Sequence, residues 1–220
     1  MNTPLNSTVR RATLALLLAG SVAGLSACFP LMMGGAVMGG MVATDRRTSG
    51  AVLEDEGIEI RAASRIRENL GERVHVNVTS YNRQVLITGE VPSAQDKQLV
   101  EKVVAGVDNV RNIVNDLAIM GNSTLTQRSS DALVTGRVKA GLVDAKDLFS
   151  NAFKIVTERG TTYVMGRVTQ REAKRATDII SNTSGVQRVV RVLEFISEDE
   201  LARTLPQQPV EKPDASRVKN

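Results

Sequence analysis

Residues 74–97 read VHVNVTSYNRQVLITGEVPSAQDK, and residues 151–174 read NAFKIVTERGTTYVMGRVTQREAK. The second stretch is a loose copy of the first. Gly89 falls on Gly166, Val91 on Val168 and Lys97 on Lys174, all at an offset of 77. Farther on, Gly106-Val107 matches Gly185-Val186 at an offset of 79, so the second copy has gained two residues. An internal repeat constrains architecture more than any single motif, because each copy is one structural unit. Two small, similar modules in tandem are expected.

Working outward from the repeat gives the elements of one module. Ile58, Ala62, Ile66 and Leu70 recur every four residues and mark one face of a helix, with Glu59, Arg61, Arg65 and Arg67 toward solvent. Val74, Val76 and Val78 alternate with His75 and Asn77, the pattern of a strand with one buried face. Tyr81-Asn82-Arg83 predicts a hairpin turn into Val85-Leu86-Ile87. Ser93 is an expected helix cap with Asp96 placed to return the bond, and Thr169 with Glu172 repeats the device. Leu99, Val100, Val103 and Val104 form the next buried face, and Gly106 suits that helix's C-terminus. Val110, Ile113, Val114 and Leu117 alternate imperfectly, which predicts a bulge or register change in the last strand. The second copy runs through Val134, Val138 and Leu142, then Phe153 and Ile155, Tyr163 to Met165, Ala173, Ala176 and Ile180, and Val189 to Ile196. An extra helical turn is expected between Asp144 and Phe149. Gly89 and Gly166 read as positions of positive φ or close approach. The fold class is therefore α+β: two tandem αββαβ modules, each a three-stranded sheet covered by two helices. A module of about 70 residues has a modest core, which makes packing of one on the other plausible.

The amino terminus addresses these modules. Arg10 and Arg11 precede an apolar run from Ala12 to Leu25, 14 residues long. That length suits a signal-peptide core and falls short of the ~20 residues of a membrane-spanning helix. The run ends in Leu25-Ser26-Ala27-Cys28, which resembles the lipobox of bacterial lipoproteins. In that reading Cys28, the one cysteine of the chain, becomes the lipidated first residue of the mature protein, and no thiol remains for a disulfide or a metal. Phe29 after the cysteine, by resemblance to lipoprotein sorting, points to the outer membrane. The alternative is an uncleaved anchor: Ala12 to Thr44 is 33 residues without a charge. Gly34, Gly35, Gly39 and Gly40, with Phe29-Pro30 before them, make that stretch a poor helix. The expected division is a signal peptide at 1–27, a linker at 28–57, modules at 58–120 and 124–197, and a disordered tail at 198–220.

The strand end Val85-Leu86-Ile87-Thr88-Gly89-Glu90-Val91, its counterpart Tyr163-Val164-Met165-Gly166-Arg167-Val168, and the two Gly-Val-x-x-Val stretches at 106–110 and 185–189 resemble BON domains. Two such domains after a lipobox resemble the dual-BON-domain outer-membrane lipoproteins of the DolP/YraP type. The resemblance implies a non-enzymatic protein, lipid-anchored in the outer membrane and facing the periplasm. It implies phospholipid binding, support of outer-membrane integrity and, in the best-known members, recruitment to the division site. An adaptor docking on outer-membrane assembly machinery or on peptidoglycan hydrolase regulators is the alternative.

Charge separates the halves. Residues 126–197 carry 12 basic against 7 acidic residues, whereas residues 28–125 carry 10 against 12. The basic second module suits an anionic surface, phosphatidylglycerol or cardiolipin. The periplasmic address, the lack of Trp and the absence of interleaved aromatics argue against nucleic acid. On the first helix of the second module, Leu133 falls about 140° from the core direction set by Val134, Val138 and Leu142. Leu133, Arg137, Lys139 and Arg128 are the expected phospholipid-binding residues. No catalytic constellation, cofactor loop or metal-ligand spacing is evident, and the single histidine, His75, reads as a surface residue.

Overall fold

The computed structural model describes residues 45–204. The signal segment, Cys28, the Gly/Met-rich stretch to Thr44 and the tail from Leu205 lie outside the described residues. Both modules have the order read from the repeat. The first is α1 (Ser49–Leu70), β1 (His75–Tyr81), β2 (Gln84–Val91), α2 (Ala94–Ala105), β3 (Asn112–Asn115) and β4 (Ala118–Ile119). The second is α3 (Leu125–Asp144), β5 (Phe153–Glu158), β6 (Thr161–Val168), α4 (Gln170–Ser181) and β7 (Arg188–Phe195), followed by α5 (Glu198–Thr204). In each sheet a hairpin is antiparallel and the last strand returns parallel to the middle one. A parallel return needs a crossover, and α2 and α4 supply it.

Each module buries its stripes as expected. Ile58, Ala62, Ile66 and Leu70 meet Val85, Ile87, Val91, Val100 and Val104 in one core. Val134, Val138, Leu142, Val164, Ala176 and Ile180 meet in the other. Gly89 takes a φ of 115°, and a Cβ there would lie 2.0 Å from the His75 carbonyl oxygen. Gly166 is needed for closeness alone, since a Cβ would lie 2.5 Å from the Ala152 carbonyl oxygen.

Four local expectations are corrected. α1 begins at Ser49, inside the stretch read as linker, because its first turns are held by polar groups rather than an apolar stripe. Thr48 caps it, and the buried Asp55 accepts from Ser80 Oγ and from the amides of Asn82 and Arg83. The last strand of the first module is interrupted at Asp116-Leu117 without a change of register: Gln84 faces Asn112 and Val91 faces Ile119, the same offset on both sides. Asp116 turns outward to Tyr163 Oη at 2.8 Å and Arg188 at 3.0 Å while Leu117 stays in the core. The extra turn before β5 is a 3₁₀ turn at Ser150–Ala152, just beyond the stretch expected. Part of the presumed tail is α5, which buries Leu201 and pairs Glu200 with Arg167.

The capping expectation divides. Thr169 and Glu172 form a full capping box, Thr169 N donating to Glu172 Oε2 at 3.0 Å and Glu172 N to Thr169 Oγ1 at 3.3 Å. Ser93 caps α2, but Asp96 accepts the Ser93 hydroxyl and pairs with Arg73 at 2.7 Å instead of returning to the backbone.

The two sheets pack against each other through the faces their helices leave free. Tyr81 and Leu86 meet Tyr163, Met165 and Val192, with Val114 and Val190 alongside. Alternation along β6 explains this: Val164 and Val168 enter the module's own core, Tyr163 and Met165 the shared one. The segment before α1 ties the pair. Arg46, buried, bonds Glu172 through two nitrogens at 2.8 and 2.6 Å and the Arg167 carbonyl at 2.9 Å. Arg47 stacks on Tyr81 at 4.4 Å and pairs with Asp55 at 2.8 Å.

Candidate functional site

α3 carries the expected lipid-contacting residues. It starts at a complete capping box of Thr124 and Gln127. Asp131, buried, accepts from the Arg159 and Gly160 amides at 2.8 and 3.0 Å and so fixes the helix against the β5–β6 turn. Val134, Val138 and Leu142 face inward, as their spacing predicts. The opposite side is exposed and apolar: Leu125 is 78% exposed, Leu133 64% and Val143 67%. Ala132, Gly136 and Ala140 are exposed beside them. At about 100° per residue these six, with Ser129, lie within an arc of about 100°, and the stripe runs about 27 Å along the helix. No charged residue falls within that arc. Arg128 and Lys139 border it on one side, and Asp144 and Arg137 on the other.

The cations are not equivalent. Lys139 and Arg137 are exposed, and Arg137 also donates to the Ser184 carbonyl at 3.3 Å. Arg128 is half-buried and donates to Ser123 Oγ at 3.1 Å, so its head group turns toward the module junction and away from Leu133. Leu125 and Val143 were missed in the sequence because they lie at the two ends of the helix, eight and ten residues from Leu133. The signal was available as a second apolar arc on the same helix.

A second constellation lies at the junction, where His75 is not the surface residue expected. Its side chain is 15% exposed, and Nδ1 lies 2.9 Å from Oε2 of Glu90, which is fully buried. Ser123 donates to the same oxygen from N at 3.1 Å and from Oγ at 3.0 Å. Burial alone would push the Glu90 carboxyl up, but these bonds and His75 hold it below the usual range. Glu158 enters from the other module, bonded by Asn77 Nδ2, and burial pushes its carboxyl up. Ser123, His75 and Glu90 are the residue types of a hydrolase triad, but both partners address one ring nitrogen. A triad needs the acid and the nucleophile on opposite nitrogens.

The BON domain model matches residues 59–121 and again 130–197. The chain belongs to the BON-domain family. Its two BON domains are the two modules described above, and BON-domain proteins are binding and structural proteins rather than enzymes. Outer membrane lipoprotein DolP of Haemophilus influenzae is 31% identical over 185 residues, 83% of this chain and 95% of that protein. The 21 kDa hemolysin of Actinobacillus pleuropneumoniae is 27% identical over 154 residues, 69% of this chain and 79% of that protein. The dual-BON architecture matches that of DolP-type outer-membrane lipoproteins. Among the described residues no helix is long and apolar enough to cross a membrane. The C-terminal domain of CdsD, a type III secretion protein of Chlamydia trachomatis, aligns over 61% of this chain and 96% of its own, at 11% identity and a TM-score of 0.28. That likeness is too slight to carry an argument.

Proposed function

We propose that this BON protein is a non-enzymatic outer-membrane lipoprotein whose second module binds anionic phospholipid through α3 and thereby supports envelope integrity. The signal segment 1–27 is removed, Cys28 carries the lipid, and the residues up to Thr44 tether the pair. The observation that carries the reading is the charge-free exposed stripe from Leu125 to Val143 with cations on its borders. Each Lys or Arg close to an anionic leaflet contributes about 1 kcal/mol, within a Debye length. Each apolar side chain sunk in the interface adds about 1.5–3 kcal/mol. Less the cost of immobilising the module at the surface, the net is weak, salt-sensitive binding, strengthened when the anchor holds the module at the same surface. Asp45, which precedes α1, shares a cavity of about 430 Å³ with Lys139, Val143 and Phe153 at the C-terminal end of α3. The tether therefore enters the fold beside the stripe.

Flotation of the unlipidated 45–220 chain with phosphatidylglycerol or cardiolipin vesicles tests this. Binding is expected at low salt and not to zwitterionic vesicles, and Leu133→Glu is expected to abolish it while the fold is kept. Vesicles that fail to bind the wild-type chain at any salt would turn the function toward docking on envelope proteins. A Cys28→Ala chain is expected to be unprocessed or mislocalised on fractionation. One that matures normally and stays in the outer membrane would remove the anchor.

A further inference from the structure

The junction between the modules holds an imidazole and two carboxylates that neither the fold nor lipid binding accounts for. His75 begins β1, Glu90 lies near the end of β2, and Glu158 ends β5 in the other module. One donor atom from each lies within 4.8 Å of the other two. Protein donors leave this cluster incomplete. Glu90 Oε1 is fully buried and accepts no hydrogen bond. The nearest cation to it, Arg159 Nη1, is 3.8 Å away on a side chain 37% exposed, beyond hydrogen-bond reach. That contact also shows Oε1 facing the β5–β6 turn, where Glu158 lies. A buried anionic oxygen without a donor is costly and points to a missing partner. A cavity of about 350 Å³ is lined by His75, Asn77, Arg128, Asp131 and Glu158, which leaves room for water ligands.

We propose that His75, Glu90 and Glu158 bind one divalent transition-metal ion, of the zinc class, between the two BON modules. Imidazole with carboxylates is a donor set that zinc accepts, at about 2.0–2.2 Å per donor. The ion displaces the His75–Glu90 hydrogen bond and takes the imidazole in its neutral form through Nδ1. Two carboxylates balance its charge, and Arg159 is free to turn to solvent. Water completes the coordination from the cavity side. Because the ligands come from both modules, the ion joins them beside the linker residue Ser123, which donates to Glu90.

His75 is the sole histidine of the chain, so its ring resonances report on the site without overlap. The untagged full chain, in detergent and freed of metal by chelation, is titrated with Zn²⁺ alone. One ion per chain is expected, with the His75 ring resonances shifted and the unfolding midpoint raised by about 5–10 °C at a hundredfold excess over Kd. Glu158→Gln keeps an oxygen for Asn77 and removes a ligand charge, and both responses are expected to vanish in it. His75→Gln serves as the second variant, read by stoichiometry and midpoint. Ring resonances and a midpoint unmoved by Zn²⁺ in the wild type would overturn the site. So would an unchanged midpoint shift in both variants, which would mean an adventitious ion only.

Discussion

Asp55 and Asp131 occupy matching places in the two modules, and each accepts both amide protons of its hairpin turn. The turns, Asn82-Arg83 and Arg159-Gly160, have positive φ at both positions, the mirror-type turn that matches strand twist. Three of those four residues are not glycine, so the left-handed backbone is held by the aspartate rather than by glycine's freedom. Asp131→Ala leaves the Arg159 and Gly160 amides without their acceptor, and the expected cost is about 2–4 kcal/mol at about 1–2 kcal/mol per orphaned group. Urea unfolding measures it, and a loss below about 0.5 kcal/mol would show that water replaces the carboxylate. Gly166→Val drives a Cβ into the Ala152 carbonyl oxygen, so it is expected to cost more than a substitution at exposed Ala140. The glycines were legible because they stand out in an alternating run. The aspartates were not, since a charged residue in an amphipathic stretch reads as solvent-facing until its acceptors are matched with amides more than twenty residues away.

At the scale of elements, most of the fold could be read because its signals are local. Stripes at spacings of four, alternation in strands and two capping pairs need only neighbouring residues. α1 was read nine residues short because its first turns pack through Asp55 and carry no apolar stripe. α3 is the informative exception to amphipathic design, being apolar on two opposed sides. Its inner side is core, and its outer side has no partner among the described residues. Val143→Glu and Leu125→Glu are therefore expected to weaken vesicle binding, which Leu133→Glu abolishes, each without a loss of stability above about 0.5 kcal/mol. Arg137→Gln and Lys139→Gln are expected to lower the salt sensitivity of binding, measured by flotation from low to high ionic strength. Arg128→Gln is expected to change it less, because that guanidinium is engaged with Ser123. Equal effects at all three cations would place Arg128 on the membrane side after all.

At the scale of the molecule, the two BON modules share a layer neither owns. Tyr81, Leu86, Tyr163, Met165 and Val192 are invisible as a cluster in the sequence because each lies on the second face of a strand already assigned to its own core. The Arg46–Glu172 pair is separated by 126 positions and has no periodicity to reveal it. It couples the chain's entry point to the capping box of α4. Burial raises the Glu172 carboxyl, but Arg46 and Thr169 outweigh it and hold the group below its ordinary value near 4.5. A depressed carboxyl contributes stability above its unfolded pKa and loses it as pH falls through the folded one. Arg46→Ala is therefore expected to cost about 3–5 kcal/mol at pH 7, where it strands a buried carboxylate. The gap from wild type is expected to narrow as pH falls and the stranded Glu172 takes up a proton. The two tyrosines are the chain's only ones, there is no Trp, and both sit in the shared layer, so tyrosine fluorescence reads the junction directly. If the modules form one cooperative unit, urea melts followed by tyrosine emission and by far-ultraviolet circular dichroism coincide. Tyrosine emission changing at lower urea than the dichroism would show modules that part before they unfold. A gap between Arg46→Ala and wild type that stays constant from pH 7 to pH 3.5 would assign the loss to packing rather than to the ion pair.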